Sequence, residues 1–236
     1  MGVSSTYHQL TQYQPTERHP TGGTQYQLAE QHPTGGTEYQ LAEQHPTGGT
    51  EYQLTEQVKS VGRAVFLDRD GVINQAIIRN GKPHPPDSVE EVVIVPEAAQ
   101  AFAELKAAGF RLLVITNQPD VARGQQKREI IEAINTYLME RLPLDQIYTC
   151  YHDNKDGCEC RKPQPGLILQ GSREWQVDPA QSFLVGDRFK DIEAGYRAGC
   201  TTILIGEGYG EKQVATPDFR VVDLLEATKK IVVKCL

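Results

Sequence analysis

From Arg63 onward, short and continuous apolar runs alternate with stretches whose apolar residues recur every three or four positions. The runs AVFL (64–67), RLLVIT (111–116), QIYTCY (146–151), SFLVG (182–186) and TTILIG (201–206) have the length of strands. Their near-continuous hydrophobicity predicts strands buried on both faces. Between them, PEAAQAFAELKAAG (96–109) has helical spacing and stops at Gly109, a residue suited to a left-handed C-cap. QQKREIIEAINTYLMERL (125–142) reads as an amphipathic helix that ends before Pro143, and further helices are expected near 166–175 and 190–198. FRVVDLLEATKKIVV (219–233) closes the pattern as a short strand followed by a helix. The alternation predicts an α/β fold: a doubly wound, Rossmann-like parallel sheet with helices on both faces. In such sheets ligands bind beyond the carboxyl ends of the strands, so the residues after each run carry the interest.

Residues 1–57 follow a different rule. HPTGGTQYQLAEQ begins at His19, HPTGGTEYQLAEQ at His32 and HPTGGTEYQLTEQ at His45, a thirteen-residue period with little drift. Each unit offers one Tyr and one Leu as its large apolar residues, too few to stack the shared core that a solenoid needs. The segment has no Ile, Phe or Trp, and its six acidic residues face only Arg18. A chain so polar cannot bury enough apolar surface to offset its ordering entropy. The expectation is a disordered, solvated spacer over 1–57 and one enzyme-sized domain over 58–236. An interaction arm, or a weak metal buffer through His19, His32 and His45, is the functional alternative.

Charge and targeting signals narrow the classes further. The formal net charge of −7 argues against a nucleic-acid binder and against docking on anionic membranes. No apolar run approaches the roughly 20 residues needed to cross a bilayer. The start, MGVSSTYHQL, lacks the basic and apolar regions of a secretory signal. Met1-Gly2 with Thr6 fits the permissive myristoylation pattern, but an ordinary N-terminus is expected. A cytoplasmic monomer acting on a small metabolite is the reading.

The strand ends hold one chemical set. Asp68-Arg69-Asp70-Gly71 follows the first run, Thr116-Asn117-Gln118 the second, and Gly186-Asp187 the fourth, with Asp191 one helical turn beyond. Arg161-Lys162-Pro163 lies between the third and fourth runs. Taken singly, an Asp after a strand is an ordinary cap or turn residue, and a lone Lys is ordinarily solvated. Together they suit phosphoryl transfer through a covalent intermediate. Asp68 could attack phosphorus and Asp70 could serve as general acid and base. Asp68 and Asp187 facing a phosphate dianion require a cation, and Mg²⁺ prefers such oxygen ligands. Lys162 and the Thr116 hydroxyl are suited to the charge that spreads over the equatorial oxygens.

FLDRDGVIN, VITNQPDVARG, CECRKPQPG and FLVGDRFKDIEAG resemble the four motifs of the haloacid dehalogenase-like (HAD-like) hydrolases. More narrowly they are similar to the small phosphatases acting on heptose bisphosphate or histidinol phosphate. The resemblance covers about 63–206 and leaves the repeats outside it. It implies Asp68 as nucleophile, Asp70 as acid/base, and Mg²⁺ held by Asp68, the Asp70 backbone carbonyl and Asp187. It further implies that Thr116, Asn117 and Lys162 hold the phosphoryl group, that Arg161 faces the rest of the substrate, and that Asp191 supports the site from behind. A cap domain would be missing, and residues 71–115 indeed leave room only for a helix and a strand. NGKPHPP (80–86), rich in turn residues, and the Cys-rich loop are therefore expected to shape the pocket as loops.

Cys150-x-His152 and Cys158-x-Cys160 offer four ligands in two close pairs, which can surround one Zn²⁺ tetrahedrally. A reduced Cys pair beside a loop His is the alternative; the resemblance favours structural zinc, pinning the loop that leads into Arg161 and Lys162. Cys200 and Cys235 are expected to be inert buried thiols. Arg161 beside Lys162 could seat a second phosphate, which favours a heptose bisphosphate; Pro119-Asp120-Val121 and the short Cys loop depart from that pattern and keep histidinol phosphate open. A catalytically inactive scaffold would be expected to have lost Asp68, Asp70 or Asp187.

Overall fold

The computed structural model describes residues 61–79 and 82–234, which fall in one compact unit. The repeat segment 1–57, with His19, His32 and His45, lies outside the described residues, as do Asn80, Gly81 and Cys235.

In chain order the elements are β1 (Arg63–Leu67), β2 (Ile77–Arg79), β3 (Lys82–His84), α1 (Ala98–Ala107), β4 (Phe110–Asn117), α2 (Arg128–Arg141) and β5 (Gln146–Cys150). They continue with α3 (Gly166–Trp175), β6 (Phe183–Gly186), α4 (Phe189–Ala198), β7 (Thr201–Ile205), β8 (Phe219–Val221) and α5 (Leu224–Lys234). Six strands form one sheet in the order β5-β4-β1-β6-β7-β8, and every neighbouring pair is parallel. After β1 the chain winds outward through β4 and β5, then returns across β1 to lay down β6, β7 and β8. The order therefore reverses between β1 and β6, the position at which sheets of this kind form a binding crevice at their carboxyl ends.

Successive side chains of a strand point to opposite faces, and β1 uses this to feed two cores. Val65 and Leu67 pack into one with α1, α2 and α5; Ala64 and Phe66 pack into the other with α3 and α4. Both layers are dry: Val65, Phe66, Leu67, Leu113 and Val114 are fully buried. Each such side chain stabilises the fold by about 1.5–3 kcal/mol relative to exposure. On α1 the buried positions Ala98, Ala101, Phe102 and Leu105 form one stripe at helical spacing. The helix ends as its sequence predicts, with Gly109 left-handed at φ +84°.

One expectation needs correction. The stretch 80–86 was expected to be loop, yet β2 and β3 pair antiparallel, with Ile77 opposite His84 and Arg79 opposite Lys82. Asn80-Gly81 between two short runs is itself a hairpin signal. It was obscured because the strands are three residues long and one contains Pro83, which removes a ladder donor. The helix and strand assigned within 71–115 are both present, and no cap domain intervenes between β1 and β4. No described helix is long and apolar enough to cross a membrane.

Candidate active site

The crevice gathers side chains from the ends of β1, β4 and β6 and from the loop before α3. Asp68 directly follows β1, and its backbone N–H donates to Val185 O on β6 at 2.9 Å, so the turn stays tied to the sheet. Its Oδ1 accepts from the Arg69 N–H at 2.7 Å and from Lys162 Nζ at 2.8 Å. No hydrogen bond among the described residues reaches Oδ2. Lys162 arrives from the loop before α3 and is 3% exposed. Its ammonium is shared among Asp68, Asp191 Oδ1 at 2.7 Å and the Ile115 carbonyl at 2.9 Å.

Asp187, at the end of β6, faces Asp68 and Asp191, and carboxylate oxygens of the three lie within 4.8 Å of one another. Both oxygens of Asp187 are buried with no donor in hydrogen-bond geometry, although the Tyr209 hydroxyl stands near enough to oppose the effect of burial on the carboxyl. An ionised buried carboxylate left in that state costs several kcal/mol. Burial pushes the Asp68 carboxyl up to about 6, with Lys162 opposing and the charges of Asp191 and Asp70 reinforcing. Asp187 is driven well above the usual carboxylate range by burial and then by Asp68 and Asp191. Two carboxylates destabilised in this way, one with unpaired oxygens, fit a hard divalent cation such as Mg²⁺.

Asp191 has both oxygens engaged, Oδ1 by Lys162 and Oδ2 by the Arg188 N–H at 3.0 Å in the first turn of α4. It therefore caps its helix and clamps Lys162 at once. Two glycines make room for this crowd. A Cβ on Gly71, left-handed at φ +96°, would sit 1.7 Å from Asp187 Oδ2, and a Cβ on Gly186 would sit 2.3 Å from Asp191 Cβ.

Asp70 and Thr116 complete the set. Asp70 accepts from Arg69 Nε at 3.2 Å and Nη2 at 2.9 Å, from Asn74 Nδ2 at 3.0 Å and from Gln118 Nε2 at 2.8 Å. Thr116, 1% exposed, accepts from the same Gln118 nitrogen at 2.8 Å. Asn117 was expected to hold a phosphoryl group, but its side chain is spent elsewhere. Nδ2 donates to Lys162 O at 3.0 Å and Oδ1 accepts from Lys162 N at 3.1 Å. It clips the Lys162 backbone to β4. Arg161 reaches Asn154 Oδ1 at 2.8 Å and the His152 carbonyl at 3.3 Å, which ties it to the Cys-rich loop.

In that loop Cys150, His152, Cys158 and Cys160 converge. Sγ of Cys160 lies 3.2 Å from Cys150 Sγ, 3.4 Å from Cys158 Sγ and 3.2 Å from His152 Nδ1; Cys150 lies 3.8 Å from Cys158 and 3.6 Å from His152. The edges of a tetrahedron around Zn²⁺ with Zn–S near 2.3 Å are about 3.8 Å, so the four donors are of the right kind, with the Cys150–Cys158 edge at that length and the two Cys160 edges shorter. All three cysteines are free thiols, as is the buried Cys200.

Comparison with known proteins settles the family. A family model described as HAD-hydrolase-like matches residues 159–227. The D-glycero-beta-D-manno-heptose-1,7-bisphosphate 7-phosphatase of Pasteurella multocida is 36% identical over 158 residues, which cover 62% of this chain and 83% of that protein. The D-glycero-D-manno-heptose-1,7-bisphosphate 7-phosphatase of Chlorobaculum tepidum is 35% identical over 187 residues, 70% of this chain and 92% of that one. The chain belongs to the HAD-like phosphatase family. Among solved structures, the D,D-heptose 1,7-bisphosphate phosphatase of B. bronchiseptica, complexed with magnesium and phosphate, superposes with a TM-score of 0.62 at 32% identity. That match covers 73% of this chain and 99% of the other.

Sequence reasoning missed the cradle behind Asp70. Arg69 is fully buried and Nη1 donates to Asn135 Oδ1 at 2.9 Å, while Asn135 Nδ2 donates to Thr149 Oγ1 at 3.0 Å. Asn135 sits among the polar positions of an amphipathic helix, where nothing in the local pattern marks it. Arg69, Asn74 and Gln118 did lie inside quoted motifs, and polar residues that close to a candidate catalytic carboxylate were a usable signal.

Proposed function

We propose that this chain removes the 7-phosphate of D-glycero-D-manno-heptose 1,7-bisphosphate through an aspartyl-phosphate on Asp68. The observation carrying the reading is the meeting of Asp68, Asp70, Thr116, Lys162 and Asp187 at one crevice, in a chain whose relatives are named for that substrate.

Asp68 Oδ2 is the attacking atom, because Oδ1 is held by Lys162 and the Arg69 N–H. As the Asp68–phosphorus bond forms and the ester P–O bond breaks, Asp70 gives its proton to the leaving alkoxide. Asp70 then takes a proton from water, which attacks phosphorus, breaks the aspartyl bond and frees Asp68 and inorganic phosphate. Thr116 donates to an equatorial oxygen, and Lys162, whose three N–H groups rest on Asp68, Asp191 and the Ile115 carbonyl, does so by releasing the one it gives Asp68; each donor fixed in this way is worth about 3 kcal/mol of barrier. Asp68, Asp187 and the Asp70 carbonyl would hold Mg²⁺, which supplies charge neutralisation and Lewis acidity at the phosphoryl oxygens. Cys150, His152, Cys158 and Cys160 would hold a structural Zn²⁺, which would pin the loop that carries Arg161.

The test is kcat/KM across heptose 1,7-bisphosphate anomers, histidinol phosphate and other sugar phosphates. A preference of at least a hundredfold for a heptose bisphosphate supports the reading. An equal or greater value for histidinol phosphate overturns the substrate while leaving the phosphatase intact.

A further inference from the structure

We propose that Gln118 is a positioning residue that yokes the acid/base Asp70 to the phosphoryl-holding Thr116, so that proton donation stays in register with phosphorus. The proposal rests on the roles given to Asp70 and Thr116 above. Gln118 directly follows β4, is 1% exposed, and its backbone N–H donates to the Cys150 carbonyl on β5 at 2.7 Å. Its backbone is thus held across two strands, and its amide projects inward.

The Nε2 group carries two hydrogens, and both serve the catalytic side chains: one to Asp70 Oδ2 and one to Thr116 Oγ1, each at 2.8 Å. Against the carboxylate form of Asp70, turning the amide over would oppose Oε1 to an acceptor oxygen, so Nε2 facing Asp70 is the orientation that fits that form. Because Thr116 Oγ1 accepts from Gln118, its own hydrogen must point elsewhere, toward a phosphoryl oxygen in the crevice. Of the donors to Asp70, Arg69 and Asn74 belong to the segment that carries Asp70 itself. Among the described residues, only Gln118 reaches Asp70 from another strand, and so it adds a direct side-chain tie between two halves that the β1–β4 pairing already sets side by side.

A second observation points the same way. Gln118 Oε1 is buried and has no partner. An orphaned buried acceptor costs about 1–3 kcal/mol, whereas a packing residue of similar shape, such as Met, would cost nothing of the kind. The amide carries a stability cost that a packing residue would not, which fits a residue whose donors perform a task.

The experiment compares leaving groups. An alkyl phosphate such as the heptose bisphosphate needs a proton on its departing oxygen, while 2,4-dinitrophenyl phosphate departs without one. Asp70→Asn sets the benchmark split between the two substrates. Gln118→Met, which keeps the shape and loses both donors, is expected to lower kcat/KM about a hundredfold for the alkyl ester and less than tenfold for the aryl ester. Gln118→Asn, too short to reach both partners, should show the same split and serves if the Met variant does not fold. Equal losses on both substrates, or none, overturn the yoke. If Asp70→Asn itself shows no split, the acid/base reading fails instead, and the two failures are thereby distinguished.

Discussion

Gly186→Ala tests how tightly the buried charges are packed. Gly186 closes β6, which is paired with β1 on one side and β7 on the other, so its backbone has little freedom to withdraw. The new methyl would lie 2.3 Å from Asp191 Cβ and 2.6 Å from both Cγ and Oδ2. Asp191 must move, and its 2.7 Å contact with Lys162 breaks. Overpacking of this kind costs about 1–3 kcal/mol. Loss of a buried ionic partner adds to it, held below the full penalty of about 3–5 kcal/mol because Lys162 keeps Asp68 and the Ile115 carbonyl. A total near 3–4 kcal/mol lowers the melting temperature by about 6–16 °C in a domain of this size. Activity should fall with it, since Lys162 is drawn toward Asp68. Gly199→Ala is the control: φ is +86° but a Cβ there meets nothing within 4 Å, so it carries backbone strain of about 1–2 kcal/mol and full activity. Thermal melts and kcat/KM of both variants decide the matter. Gly186→Ala matching wild type in both, or no worse than Gly199→Ala, would refute the packing argument.

Other expectations concern separate parts of the chain. Cys158→Ser should release zinc, read by metal analysis, and raise KM more than it lowers kcat, because Arg161 loses its anchored loop; retained zinc with unchanged KM contradicts it. Removing residues 1–57 should leave kcat/KM within twofold, and a large loss would assign the repeats a catalytic part. Asp145→Asn should cost about 1–2 kcal/mol at neutral pH without touching activity, since Asp145 accepts from Lys106, Arg111 and the Leu112 N–H far from the crevice. Burial pushes that carboxyl up, but these donors outweigh it and hold it below its ordinary value. Its stabilisation is therefore complete above the ordinary carboxylate range and lost as pH falls through the lowered value, so melts of the two proteins should converge in acid.

The sequence made the sheet legible because its strands are continuous apolar runs, and the predicted ends fall within a residue or two of β1, β4, β5, β6 and β7. Asp68, Thr116 and Asp187 were legible because each ends or follows such a run and parallel strands share one carboxyl edge; Lys162, in the loop between β5 and α3, was legible only through Arg161-Lys162-Pro163. The β2–β3 hairpin was not, since three-residue strands carry almost no periodicity. Asn117 looked like a phosphate ligand from its neighbours alone; its engagement with Lys162 depends on a contact 45 residues away, which local spacing cannot encode. The same holds for the buried cradle of Arg69 and Asn135, where burial rather than motif reveals the role.

The central claim is covalent catalysis by Asp68. Rapid acid quench of the Mg²⁺-loaded enzyme during turnover, followed by peptide mass analysis, should find phosphate on the peptide containing Asp68 in the wild type and none in Asp68→Asn, which should also be inactive. Turnover surviving in Asp68→Asn, or a phosphoryl group trapped on any other side chain, would contradict it.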